Sequence, residues 1–198
     1  MVNKIISISL LNANLLKLPP MKNVTHLHLD IIDTTFAENI SFGPQIINDI
    51  LDLNFICDLH FMIDNPLHIL SQINLTNVRK VYFHTEIDFV KIKKLYPSLS
   101  LGIALRPGES VNMVQNKPVD AVLLMTVNPG RGGQKFIPCP TKISDIRKIG
   151  DYEIGVDGGI DIRTINHMKD CDYFVVGSAY FRSEDKEKYI EKLKFQLK

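Results

Sequence analysis

The sequence predicts one (β/α)8 barrel, of the TIM type and with shortened connecting helices, spanning residues 1–198. Three observations carry the prediction. Eight short apolar runs recur at fairly even spacing, near-continuous rather than alternating, as expected of parallel strands covered by helices. Helical patterns lie between several of them, with no linker, close repeat or low-complexity segment. Polar and ionisable residues gather at the C-terminal ends of the runs, where barrels of this kind keep their active sites.

The elements follow in order. The first strand is Ile5–Leu10, and the connection 12–25 after it is short and holds Pro19-Pro20, so its helix is expected to be a stub. Strand two is Leu27–Ile31, followed by a helix from Pro44 to Leu51 with apolar residues at 46, 47, 50 and 51. Strand three is Phe55–Met62, and the next helix, Pro66 to Ile73, opens with proline at the first helical position. Strand four is Val81–His84, then a helix over Phe89 to Tyr96 and strand five, Leu101–Leu105. Strand six is Ala121–Thr126, followed by a helix over Lys142 to Ile149 and strand seven, Tyr152–Val156. Strand eight is Tyr173–Val176, and Glu184 to Leu197 closes the chain as an amphipathic helix.

Composition bounds the function. The chain is 45% hydrophobic and 23% charged, enough for a full core in one domain. A net charge of +1 gives no electrostatic case for nucleic acid or an anionic membrane. No apolar run of about 18 residues exists to span a bilayer, and the apolar stretch near the start is too short for a signal peptide. Cys57, Cys139 and Cys171 lack metal-type spacing and read as reduced thiols of a cytoplasmic protein.

The informative feature is where the metal-type side chains fall. His28 and Asp30 stand two apart on strand two, so both point to one face. His60 ends strand three, and Asp157 ends strand seven. Two imidazoles and two carboxylates can hold one divalent metal ion, and the carboxylates can also move protons. Four such groups inside one barrel would cost too much if unpaired. The Gly-rich turns after strands six, seven and eight expose backbone N–H groups suited to a phosphate. Met62 and Met125 are candidates for the pocket lining. His84 and Glu86 are expected to support a ligand from behind, and His26 to sit in the core one layer deeper.

At these residues the chain resembles the ribulose-phosphate 3-epimerase family. The matching segments are Ser9-Leu10-Leu11, His28-x-Asp30 with Phe36 and Asn39, Phe42-Gly43-Pro44, and Asp58-Leu59-His60-Phe61-Met62 with Asn65-Pro66. They continue with Phe83-His84-x-Glu86, Pro107-Gly108, Met125-x-Val127-Asn128-Pro129-Gly130-x-Gly132-Gly133-Gln134, Val156-Asp157-Gly158-Gly159 and Gly177-Ser178-Ala179-x-Phe181. Their order and spacing run nearly end to end. The resemblance implies a barrel of the ribulose-phosphate-binding type, with His28, Asp30, His60 and Asp157 as ligands of one divalent ion: Zn, Fe, Mn or Co. It implies Asp30 and Asp157 as the two acid/base groups, and Ser9 and His60 touching the substrate. Gly130, Gly132, Gly133, Gly158, Gly159, Gly177 and Ser178 would hold its phosphate, with Arg131 the one cation in these turns.

The implied reaction is epimerisation at carbon 3 of a ketose phosphate, D-ribulose 5-phosphate to D-xylulose 5-phosphate, through a metal-stabilised enediolate. Asp30 would act as base and Asp157 as acid, reversing in the back reaction. The alternatives are an epimerase for a hexulose such as allulose 6-phosphate, and a barrel that binds sugar phosphate without turnover. The partner is a small sugar phosphate, and a homo-oligomer is expected. The chain departs from the family at Ile32, where a methionine helps line and cap the site, and at Thr34-Thr35, where Gly-His is usual. Arg131 replaces an aromatic residue, Arg106 an asparagine, and several connections are shorter.

Overall fold

Eight parallel strands close into a barrel in simple sequential order, β1-β2-β3-β4-β5-β6-β7-β8, with β8 pairing back onto β1. The computed structural model describes residues 4–198. The strands are β1 (Ile5–Ser9), β2 (His26–Ile32), β3 (Ile56–Met62), β4 (Val78–His84), β5 (Leu101–Leu105), β6 (Ala121–Met125), β7 (Glu153–Asp157) and β8 (Tyr173–Val176). All eight predicted runs are strands, with ends shifted by up to three residues.

The helices are α1 (Pro44–Leu51), α2 (Leu67–Leu70), α3 (Phe89–Leu95), α4 (Pro140–Ile149), α5 (Ser178–Arg182) and α6 (Lys186–Gln196). Pro44 opens α1 after Gly43, and Ile47, Ile50 and Leu51 bury its apolar face. Asp88 and Asp185 cap α3 and α6 by accepting from the backbone N–H groups of Lys91 and Lys188. The connections after β1, β5 and β7 hold only single 3-10 turns, Leu15–Lys17, Val111–Val114 and Ile165–Met168, in line with the shortened helices expected.

Two helices differ from expectation. The helix predicted over Pro66–Ile73 shrinks to the four residues of α2, and Pro66 takes the cap position rather than the first helical one. Gln72 explains the early stop: its side-chain amide donates to the His68 carbonyl, the acceptor that its own backbone N–H would need to continue the helix. The Gly177-Ser178 turn runs directly into a helix, α5, that the sequence reading did not resolve.

Burial sorts into two layers. The larger cluster, with Ile8, Leu29, Phe61, Phe83, Leu124 and Phe174 at its heart, lies between strands and outer helices. The smaller one fills the barrel interior with Tyr82, Ala104, Ala121, Leu123, Met125, Tyr173 and Val175. Two glycines make room for its rings. A Cβ on Gly102 would overlap Tyr82 Cδ1, and one on Gly155 would fall 2.9 Å from Tyr173 Cδ1. Each glycine is the register partner of the tyrosine it accommodates.

The base of the barrel is closed by charge. The β3–β4 register slips beside Cys57/Asp58, leaving Arg79 without a partner on β3. Its guanidinium forks onto Asp58 (3.0 and 2.5 Å) and reaches Glu153 at 2.7 Å. His26 is half-buried at this depth, bonded to Thr25 Oγ1 at 2.8 Å, and so is less of a core residue than expected. Among the described residues no helix is long and apolar enough to cross a membrane.

Candidate active site

Strand register assembles the site at the C-terminal mouth. Ser9 pairs with His28, Asp30 with His60, and Met125 with Asp157. Alternation along β2 turns His28 and Asp30 to the same inner face. Donor atoms of His28, Asp30, His60 and Asp157 lie within 4.8 Å of one another. Ser9 Oγ donates to Asp30 Oδ2 at 2.7 Å, and His60 Nδ1 lies 3.0 Å from Asp30 Oδ1 and 3.8 Å from Asp157 Oδ2. Behind His60, its Nε2 meets His84 Nε2 at 3.1 Å, the position from which His84 would support that ring. Glu86 does not share that role: it pairs with Arg106 at 2.5 Å. Arg106 also lies 4.6 Å from the centre of the Phe36 ring, and that ring packs 4.4 Å from His84.

The two carboxylates are driven apart electrostatically. Burial would raise Asp30, but the charge of His28 and the hydrogen bond from His60 outweigh it and hold the carboxyl far below its usual range. Burial, and then the negative Asp30 beside it, push Asp157 up to about 7. Burial, the neighbouring His60 and Arg106 push His84 down to about 2, so it stays neutral. Such a split between neighbouring carboxyls is the usual mark of an acid/base pair.

The donor set fits a divalent transition ion. Two imidazole nitrogens and two carboxylate oxygens converge, and buried His28 Nε2, 3.5 Å from Asp30 Oδ1, makes no hydrogen bond. A dication among these groups would satisfy that nitrogen and relieve the repulsion between the carboxylates.

Above the cluster opens a cavity of about 420 Å³, in the range of small-molecule sites. Ser9, Asp30, Met62, Met125 and Asp157 line it, as do Gly130, Arg131, Gly132, Gly133, Gly158, Gly159, Gly177 and Ser178. Gly130 and Gly158 adopt φ of 104° and 115°, and a Cβ on either would strike Ala37 or Val127. Thr126 Oγ1 donates to the carbonyls of Asp157 and Gly158, which fixes the end of β7.

The structure departs from expectation at three further points. His60 was expected to touch the substrate, yet it is fully buried and does not line the cavity, because its two ring nitrogens face Asp30 and His84. Ile32 is buried outside the cavity wall: Ser41 bonds to its backbone N–H and carbonyl, and the loop 33–41 folds back over the strand end. Arg131 has company at the mouth, where Lys135, Arg163 and Arg182 also line the cavity. No motif signals those three cations; they come from three separate connections. Arg131 itself is 67% exposed, with Glu38 3.4 Å away.

Comparison with known proteins points to one family. A model of the ribulose-phosphate 3 epimerase family matches residues 5–181. A ribulose-phosphate 3-epimerase from Encephalitozoon cuniculi is 41% identical, over 96% of this chain and 93% of that protein. A cytoplasmic isoform of the enzyme from Oryza sativa is 31% identical, over 85% of this chain and 80% of that protein. Among solved structures, a ligand complex of KGPDC from Streptococcus mutans superposes with a TM-score of 0.72, covering 100% of this chain and 98% of its own. At 11% identity that likeness shows the barrel fold alone.

Proposed function

The chain belongs to the ribulose-phosphate 3-epimerase family, and we propose that it interconverts D-ribulose 5-phosphate and D-xylulose 5-phosphate. One observation carries the reading: Asp30 and Asp157, from strands on different sides of the barrel, converge with two buried imidazoles beneath one cavity. Epimerisation at carbon 3 requires a proton to leave one face of that carbon and another to arrive on the opposite face. Two carboxyls reaching the substrate from different strands can do this.

One divalent ion, Zn, Fe, Mn or Co, held by His28, Asp30, His60 and Asp157, would acidify the carbon-bound proton by stabilising charge on the adjacent oxygens. The chain's own groups do the rest. Asp30, oriented by the Ser9 hydroxyl, takes the proton from carbon 3 of the ribulose form. Asp157, held by Thr126 at the end of β7, delivers one to the other face, and the roles reverse on return. Met62 and Met125 present apolar surface near the reacting carbon and limit water there. Backbone N–H groups of the Gly130–Gly133, Gly158–Gly159 and Gly177–Ser178 turns face the phosphate, helped by the cations at the mouth.

Free thiols at Cys57, Cys139 and Cys171 support a cytoplasmic location, which belongs to the same proposal. So does a homo-oligomer, which analytical ultracentrifugation checks.

The test is a rate comparison on D-ribulose 5-phosphate and D-allulose 6-phosphate, with each of the four metals added. The expected result is faster turnover of the pentose phosphate. Faster turnover of the hexulose phosphate would move the assignment to the hexulose epimerases, and turnover of neither would leave a binding barrel.

A further inference from the structure

His28 offers two ring nitrogens with different fates. Nε2 is buried, unpartnered and aimed at the carboxylates, whereas Nδ1 lies 3.1 Å from the hydroxyl of Tyr173. An imidazole that ligates through Nε2 must carry its proton on Nδ1, and that proton needs an acceptor. The Tyr173 hydroxyl is the acceptor present.

Tyr173 is itself fixed on every side. It is fully buried in the barrel interior, its ring stacks with Tyr82 at 6.4 Å, and Gly155 clears space for it. The Arg79 guanidinium sits 4.7 Å from its ring centre, held in turn by Asp58 and Glu153. A column of contacts therefore runs from the charged base of the barrel, through Tyr173, to His28.

We infer that Tyr173 is a positioning residue, which by accepting from Nδ1–H of His28 holds the ring with Nε2 presented to the metal ion. This rests on the reading of His28 as a ligand. Groups that orient a ligating histidine from behind typically tune metal affinity by ten- to a hundredfold.

The experiment measures zinc affinity by competition with a chromophoric chelator, for wild type, Tyr173→Phe and Tyr82→Phe. Tyr82 shares the tyrosine layer, but its hydroxyl points to Glu153, 3.5 Å away, not to His28. Tyr173→Phe is expected to bind zinc about ten- to a hundredfold more weakly, and Tyr82→Phe to bind it as wild type does. Wild-type affinity in Tyr173→Phe overturns the inference. So does an equal loss in Tyr82→Phe, because the effect would then be core packing. A wild type that binds no zinc overturns the ligand reading as well, which separates the two failures. Should Tyr173→Phe fail to fold, NMR of the zinc-loaded wild type decides. A His28 Nδ1–H resonance in contact with the Tyr173 ring protons supports the inference, and a ring protonated at Nε2 overturns it.

Discussion

Thr34 shows how a single residue departs from its surroundings. Its φ is 76°, in the left-handed region that β-branched side chains avoid. The turn is imposed by its neighbours: Asp33 Oδ1 accepts from both the backbone N–H and the hydroxyl of Thr35, and that hydroxyl accepts from the Asp64 N–H. Thr34→Gly is expected to stabilise the protein by about 0.5–1 kcal/mol, the relief of the left-handed penalty less the entropy that glycine adds to the unfolded chain. Urea denaturation reads it, and a lowered midpoint would show that Thr34 carries no strain. At the acid/base pair, Asp30→Asn and Asp157→Asn are each expected to slow epimerisation by on the order of 10²-fold or more. Steady-state kinetics at saturating metal tests this, and near-wild-type rates in either variant would remove that carboxyl from the chemistry. The four ligand candidates were legible in the sequence because strand periodicity alone turns His28 and Asp30 inward and the order of the runs supplies His60 and Asp157. Tyr173 was not, because a tyrosine in an apolar run reads as filling until its hydroxyl is seen beside a histidine.

At the scale of elements, the strand order was legible and the barrel's inner packing was not. Nothing in Leu101-Gly102-Ile103 marks Gly102 as the space for a ring on the preceding strand, β4. Gly102→Ala is expected to cost about 1–3 kcal/mol, because the new methyl group overlaps the Tyr82 ring inside a closed barrel. Gly108→Ala, with nothing within 4 Å of the added Cβ, is the near-neutral control. Chemical denaturation of both variants checks the difference, and equal stabilities would show that the tyrosine layer yields easily. Arg79 escaped the sequence reading for a related reason. Strict alternation cannot anticipate a register slip, and it is beside this slip that Arg79 meets Asp58 and Glu153. The shortened α2 was equally hidden, since two side chains, Ser71 and Gln72, take the same helix carbonyl.

For the whole molecule, the same cluster that would run the chemistry is assembled only by folding, so an ion bound there would be linked to stability. An ion present at about 100 times its dissociation constant stabilises the folded state by about 2.7 kcal/mol. Chelation is therefore expected to lower the thermal midpoint of the wild type but not of a His28→Ala/His60→Ala double variant, and calorimetry with and without chelator reads it. An unchanged wild-type midpoint would mean that the four donors hold no ion. Beyond the metal, two carboxyls at the barrel mouth are proposed to exchange the proton on carbon 3 of a pentose phosphate. The most direct measurement is proton NMR of D-ribulose 5-phosphate turned over by the wild-type protein in heavy water. The expected result is D-xylulose 5-phosphate that lacks its carbon-3 proton signal because deuterium stands there, with no such product formed by Asp157→Asn over the same interval. Xylulose 5-phosphate formed with its original hydrogen at carbon 3 would rule out proton exchange through these carboxyls.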